Sequence, residues 1–273
     1  MAMRSLRVQA RLLRGRDRRL HDGRRVHSDA VTERYTERAL HFEAPRLPRL
    51  LERHLSPGPL ALADLGCGDG PLFAALVRGG FIAPAKPVYA VDLDTNRLAR
   101  VTARFPWIQA VTGPADAVPE IPDASLDVVC STMVMEHVPD ERAYLGEIER
   151  VLRPGGCAYV TTVYKKSWAW YFRKRKGETV LDTSHLREYT DVDAFFRLVT
   201  EDGRFRVLAL ERNLLWFPLL DPLLFRLGGR FAGLARRQSL LRVLRAAKVP
   251  IPGYYGLEVV LERGRVDESE RRA

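Results

Sequence analysis

The sequence predicts an α/β fold built on a mostly parallel sheet, and three observations carry that prediction. Apolar runs of strand length alternate with helical stretches along the chain, the pattern of βα units. One run ends at Asp64 and opens into glycines at 66, 68 and 70. A second, Val88-Tyr89-Ala90-Val91-Asp92-Leu93-Asp94, also ends in acid. In doubly wound folds ligands bind beyond the carboxyl ends of such strands, so both acids should face one crevice. The chain has 273 residues and is 46% hydrophobic, ample for a core, and the alternation favours one large domain over two small ones.

Residues 62–72, LADLGCGDGPL, are the most specific stretch. Glycine tolerates φ > 0 and carries no side chain, so a strand ending in this loop brings bare backbone close to a ligand. Pro71 can open a helix whose unpaired N–H groups point back into the same crevice. The dinucleotide fingerprint G-x-G-x-x-G fails, because its third glycine falls on Pro71. D-x-G-x-G-x-G fits residues 64–70 at every place, and it resembles motif I of the class I S-adenosylmethionine (SAM)-dependent methyltransferases.

The following segments extend the resemblance. Asp92 lies about 20 residues past the glycine loop, where an acid meets ribose hydroxyls in doubly wound nucleotide folds. A third apolar run, WIQAVTG (107–113), leads to Asp116. SLDVVCSTMVMEHVPD (125–140) and ERVLRPGGCAYVTT (149–162) look like the family's fourth and fifth strands, the latter opened by its L-x-P-G-G turn. The resemblance covers residues 35–212 and is closest to the branch of ubiquinone/menaquinone-type and small-molecule methyltransferases.

That family implies a Rossmann-like, seven-stranded, mostly parallel sheet with helices on both faces and an antiparallel last strand. FRVLALERN (205–213) should be the sixth strand and YYGLEVVLER (254–263) the seventh, with a helical cap or insert over 214–253 in place of the usual short hairpin. The implied organisation is a basic N-terminal extension (1–34), the methyltransferase domain (35–263) and a charged tail (264–273). SAM is the implied cofactor, held by Asp64, Gly66, Cys67, Gly68, Gly70, Asp92, Leu93, Asp116, Ala117 and Ser131. In the family an acid at the Asp116 position accepts a hydrogen bond from the adenine amino group, whereas the plainer reading is a turn or cap residue. Nucleic-acid amino-methylating branches carry D/N-P-P-Y/F after the fourth strand. Here that place reads Ser131-Thr132-Met133-Val134, which disfavours methylation of base amino groups.

Charge is unevenly placed. The net charge is +10, yet residues 1–27 hold nine arginines against Asp17 and Asp22, and 165–176 (KKSWAWYFRKRK) holds six cations and no acid. Segment 214–253 holds six arginines and Lys248 against Asp221, so the remaining nucleotide-binding core is acidic. The interleaved Trp168, Trp170, Tyr171 and Phe172 suit a membrane interface or single-stranded nucleic acid. Leu, Phe and Trp bulk with arginines over 214–253 suits an interfacial helix at anionic headgroups, and an ordinary cap helix is the competing reading. All three basic pieces are expected around the substrate mouth.

Cys67, Cys130 and Cys157 lie on or beside expected core strands without metal-ligand spacing, which fits reduced thiols in a reducing compartment. No run approaches the ~20 apolar residues that span a bilayer. The N-terminus lacks the apolar segment of a secretory signal, although its arginines imitate a mitochondrial transit peptide. A cytoplasmic protein, peripheral at the inner face of the membrane, is the resulting expectation.

A methyl-accepting hydroxyl needs a proton acceptor, and His185 in TSHLREYT (183–190) is the best candidate, because imidazole titrates near neutral pH. A histidine that merely braces the loop is the alternative. Tyr189 is a second catalytic candidate, and Arg187, Tyr164, Trp168 and Trp216 are candidate substrate contacts. Glu136 and His137 read as loop architecture near the methionine end of SAM, with catalysis as the alternative. No H-E-x-x-H, CxxC or carboxylate cluster suggests a metal, and none is expected. The sequence thus points to O-methylation of an amphipathic or lipid-linked small molecule, such as an isoprenoid or sugar lipid, at a membrane surface. An RNA methyltransferase using its arginines on phosphates, and a non-catalytic adaptor, are the alternatives.

Overall fold

The computed structural model describes residues 46–218 and 247–264. The basic segment 1–34, the start of the expected domain, the centre of the expected insert and the tail beyond 264 lie outside the described residues.

One seven-stranded sheet organises the described part. After a short helix α1 (Arg49–Glu52), the chain runs β1 (Leu62–Leu65), α2 (Pro71–Arg78), β2 (Val88–Asp92), α3 (Thr95–Arg104), β3 (Gln109–Thr112), β4 (Leu126–Thr132) and α4 (Glu141–Val151). It continues through β5 (Leu152–Lys165), the two-residue strands β6 (Lys174–Arg175) and β7 (Glu178–Thr179), α5 (Val192–Thr200), β8 (Phe205–Pro218) and β9 (Lys248–Arg263). The order across the sheet is β3-β2-β1-β4-β5-β9-β8. β1 pairs in parallel with β2 (Leu62 opposite Val88) and with β4 (Leu62 opposite Val128). β9 runs antiparallel to both β5 and β8, as expected of the seventh strand.

Alternation along β1 explains why both sheet faces are covered. Ala61, Ala63 and Leu65 enter one buried cluster, with Val91, Tyr144, Ile148 and Phe195. Leu60 and Leu62 enter the other, with Phe73, Leu76, Leu98 and Tyr159. Strands buried on both faces read as continuous apolar runs, which is what the sequence shows for β1, β2 and β4. The helices start where an aspartate can cap them. Asp94 accepts from the amides of Asn96 and Arg97, Asp140 from Arg142 and Ala143, and Asp191 from Asp193 and Ala194.

The expected helical insert needs correction at both ends. Residues 214–218 and 248–253 are strand, because β8 and β9 stay paired beyond the sheet, with Trp216 opposite Pro250 and Phe217 opposite Val249. A third buried cluster of Val163, Tyr171, Ile251 and Tyr254, with Phe217 packed on it, anchors this extension. It also secures the aromatic segment, where Lys166 N donates to Gly253 O and Trp170 N to Pro252 O.

Gly253 fits there only as glycine: φ is +73°, and an added Cβ would lie 2.6 Å from Ala169 Cα. Gly253→Ala is therefore expected to destabilise by more than about 1 kcal/mol, lowering Tm by about 2–4 °C. Calorimetry checks the loss, and proteolysis should become faster within 165–173 and not in the sheet.

Candidate active site

The glycine loop closes on the end of β2 by backbone and carboxylate bonds. The amides of Gly66 and Cys67 both donate to Val91 O, at 2.8 and 2.9 Å. Gly68 N donates to Asp92 Oδ2 at 2.7 Å, and Asp94 N donates to Asp92 Oδ1 at 2.9 Å. Gly66, Gly68 and Gly70 all have φ between +56° and +72°. At Gly66 space is also absent, since a Cβ would sit 2.3 Å from Val134 Cγ2 in the loop after β4. Gly70 is the N-cap of α2 and supplies no side-chain cap, so the first amides of that helix open toward the loop.

Two acids of opposite character flank this loop. Asp92 has spent one bond on each oxygen and retains lone pairs for hydroxyl donors. Asp64 is buried, and its Oδ1 has no partner. Burial, with the Asp92 charge adding to it, pushes the Asp64 carboxyl up to about 7. A nucleoside with a cationic tail fits this set: ribose hydroxyls for Asp92, and positive charge for an otherwise unsatisfied Asp64. Cys67 is buried, and burial holds its thiol protonated. Leu93 is exposed, Asp116 is half-buried and Ala117 is exposed, its amide donating to Pro114 O. The Ser131 hydroxyl is buried and donates to Leu65 O at 2.8 Å, binding the end of β4 to the end of β1.

Residues 180–190 lie over the carboxyl ends of β4 and β5. Leu186 N donates to Glu136 O, Tyr189 N to Val163 O, and Lys165 N to Tyr189 O. That docking buries His185, which is 4% exposed, and stacks its ring edge-to-face on His137 with centroids 4.8 Å apart. His185 Nδ1 lies 2.9 Å from Glu188 Oε1. Glu188 also accepts from Leu181 N at 2.7 Å and Tyr254 OH at 3.2 Å, and Lys165 Nζ lies 3.2 Å from its Oε2. Burial opposes its ionisation, yet His185, the Leu181 amide and Lys165 together hold its carboxyl below the usual range. An ionised Glu188 can only accept, so Nδ1–H of His185 donates to it and Nε2 is left as the nitrogen with the free lone pair.

The other expected residues are placed differently. Tyr189 donates its hydroxyl to Glu141 and packs edge-to-face on Phe195, at 5.0 Å. Arg187 is directed at the loop after β4, donating to the carbonyls of Met135, Val138 and Pro139, with Glu141 at 3.3 Å. Tyr164 is buried, with Lys166 and Arg212 about its ring at 5.6 and 5.5 Å. Trp168 and Trp216 are 62% and 54% exposed. Sequence reasoning missed Glu188, although it stands three residues after His185. It also missed the environment of Glu136, which is buried with Oε1 unpartnered and Oε2 accepting from Thr162 Oγ1 at 2.9 Å. No helix among the described residues is long and apolar enough to cross a membrane.

Comparison with known proteins agrees with this geometry. Residues 63–160 match the methyltransferase domain family. The chain is 38% identical over 126 residues to a Mycolicibacterium smegmatis protein whose name assigns it to the S-adenosylmethionine-dependent methyltransferases, covering 46% of this chain and 44% of that one. It is 30% identical over 118 residues to the ubiquinone biosynthesis O-methyltransferase of Paracidovorax citrulli, covering 43% and 50%. The chain thus spans about half the length of the curated relatives it matches. The YcgJ protein of Bacillus subtilis superposes with a TM-score of 0.55 at 16% identity, over 80% of this chain and 97% of that one, which is evidence for the fold alone. With the D-x-G-x-G-x-G loop, the Asp92 carboxylate and the β3-β2-β1-β4-β5-β9-β8 order, these matches make the chain similar, through residues 63–160, to the SAM-dependent methyltransferases.

Proposed function

We propose that this chain methylates an oxygen atom of a small-molecule acceptor, with His185 removing the acceptor's proton. One observation carries the reading: a buried imidazole, backed by a carboxylate on Nδ1, stands over the carboxyl ends of β4 and β5 beside the glycine-loop crevice. Bound SAM supplies a methyl group already activated on a sulfonium. What is left to the protein is to orient the acceptor, exclude water and hold the proton. Asp92 and the 66–70 loop would hold the nucleoside, Asp64 would meet the positive charge, and Asp116 and Ala117 would contact the base. His185 Nε2 would accept the acceptor O–H proton as the methyl group passes from the sulfonium sulfur to the acceptor oxygen, the broken S–C bond leaving a neutral thioether. Glu188 keeps Nδ1–H in place and stabilises the imidazolium that results. Glu188 is a positioning residue, acting through His185.

The finer reading is an amphipathic or lipid-linked acceptor, an isoprenoid or sugar lipid, reached at an anionic membrane from the cytoplasmic side. Its support is the exposed aromatic set of Trp168, Trp170, Phe172 and Trp216, interleaved with Lys166, Arg173 and Arg212. A relative named as an O-methyltransferase of ubiquinone biosynthesis supports an oxygen acceptor. Co-sedimentation with anionic vesicles should be strong at low salt and weaken in Trp168→Ala/Trp170→Ala. Binding to RNA without binding to vesicles would replace the lipid with RNA as the partner.

Three further outcomes test the site. Calorimetry should show SAM binding that falls at least about tenfold in Asp92→Ala, which removes a charged hydrogen-bond partner, and is lost in Gly68→Val. His185→Ala should bind SAM as the wild type does and lose ~10²–10⁴-fold in turnover on the true acceptor. Glu188→Gln should retain SAM binding, lower kcat and shift its pH profile, because a neutral amide no longer stabilises the imidazolium. For Asp64 the linkage runs against stability. The unfolded chain releases this proton near 3.8 and the folded chain near 7, so folding binds it more tightly and stability is lost as pH rises from 4 to 7. Asp64→Asn should therefore raise the Tm of the ligand-free protein at pH 8 by at least about 2 °C. The gain should vanish near pH 4, and SAM should stabilise the variant less than the wild type.

A further inference from the structure

We infer that Glu136, His137 and His185 form a binding site for a divalent transition-metal ion of borderline softness, Zn2+ being the type. These residues come from two loops, the turn after β4 and the 180–190 segment, which dock through the Leu186–Glu136 backbone bond. One ligand atom from each lies within 4.8 Å of the others. A tetrahedral Zn2+ ion holds such atoms at ~2.0–2.2 Å and so about 3.4 Å apart, which requires the three side chains to close by up to about 1.4 Å on binding.

Proximity is only the first argument. Glu136 is completely buried, and its Oε1 has no hydrogen-bond partner, a state that costs free energy unless something satisfies the oxygen. Its other oxygen is held by Thr162 Oγ1 at 2.9 Å, which fixes the orientation of the carboxylate. Burial pushes this carboxyl up, and a cation beside Oε1 would relieve that cost. His185 carries the outer-shell partner that metal-ligating histidines almost always have, a carboxylate on the opposite ring nitrogen, here Glu188 Oε1 at 2.9 Å. His137 Nδ1 lies 3.4 Å from Ser184 Oγ, a second oriented ring. Two imidazoles and one carboxylate, with a further position open to water or an acceptor oxygen, make the donor set of a Zn2+ site that exchanges ligands. His137 is only half-buried, which leaves the ion a path of entry.

An ion held there takes the Nε2 lone pair of His185, so metal and proton compete for one nitrogen. That consequence rests on His185 being the base. The site itself does not. It also revises the sequence expectation of no metal, which saw Glu136 and His137 only as neighbours in sequence. His185 reaches them from a loop some 50 residues away.

The test uses the untagged full chain, stripped with a chelator, and Zn2+ alone, titrated against a chromophoric competitor. SAM binding is measured on the same preparations. Wild type should take up about one equivalent of Zn2+. Glu136→Gln and His137→Gln should each weaken uptake by at least about tenfold, and Glu188→Gln by about 10–100-fold, with SAM binding unchanged in all three. Absence of stoichiometric Zn2+ uptake by a wild type that binds SAM would overturn the site, as would uptake unchanged in Glu136→Gln. Failure to bind SAM with Zn2+ uptake intact would instead count against the cofactor reading and leave the metal site standing.

Discussion

Three amides, donating to one carbonyl and one carboxylate, tie the loop after β1 to the end of β2, and the rest of the site depends on that junction. Gly66 and Cys67 donate to Val91 O, and Gly68 donates to Asp92. These bonds turn the chain sharply after Leu65 and point the start of α2 at the crevice. They are possible because β1 and β2 are parallel neighbours in a register that places Leu65 opposite Val91. Val134, packed against Gly66, carries the constraint across to the loop after β4. Glu136 and His137 follow two and three residues later, so the same junction positions them.

The electrostatics divide along the same line. On the cofactor side an acid is left buried and under-satisfied at Asp64, a cost that a cationic ligand relieves. Over the ends of β4 and β5 Glu188 collects a lysine, a tyrosine, an amide and an imidazole, which together hold its carboxyl low despite burial. A group so well partnered is rigid, and rigidity is what a positioned base requires. Glu136, equally buried, has one oxygen held by Thr162 and the other without a partner.

Arg187 and Tyr189 show how a nearby site and a braced loop can share one segment. Arg187 is directed at Glu141 and the carbonyls of Met135, Val138 and Pro139, and Tyr189 at Glu141, so their role in the structure is to hold the two segments together. Their neighbours His185 and Glu188 pair with each other instead. The sequence order H-L-R-E-Y interleaves the two roles, and only the backbone path between Asp182 and Asp191 separates them.

Much of the fold was legible in local sequence. Glycines with positive φ, aspartate caps at 94, 140 and 191, and apolar runs buried on both faces are properties of a few consecutive residues. The sequence by itself therefore determined the order of the sheet strands and their helices, and the glycine loop between β1 and α2. It misread 214–218 and 248–253, because Leu, Phe and Trp bulk suits a helix face as well as a strand, and long-range pairing of β8 with β9 decided between them. Tertiary structure alone decided that Glu188 backs His185, that Glu136 is buried with an unpartnered oxygen, and that both histidines meet. Those are contacts between separate loops, set by the packing of the sheet beneath them, and no local pattern encodes them.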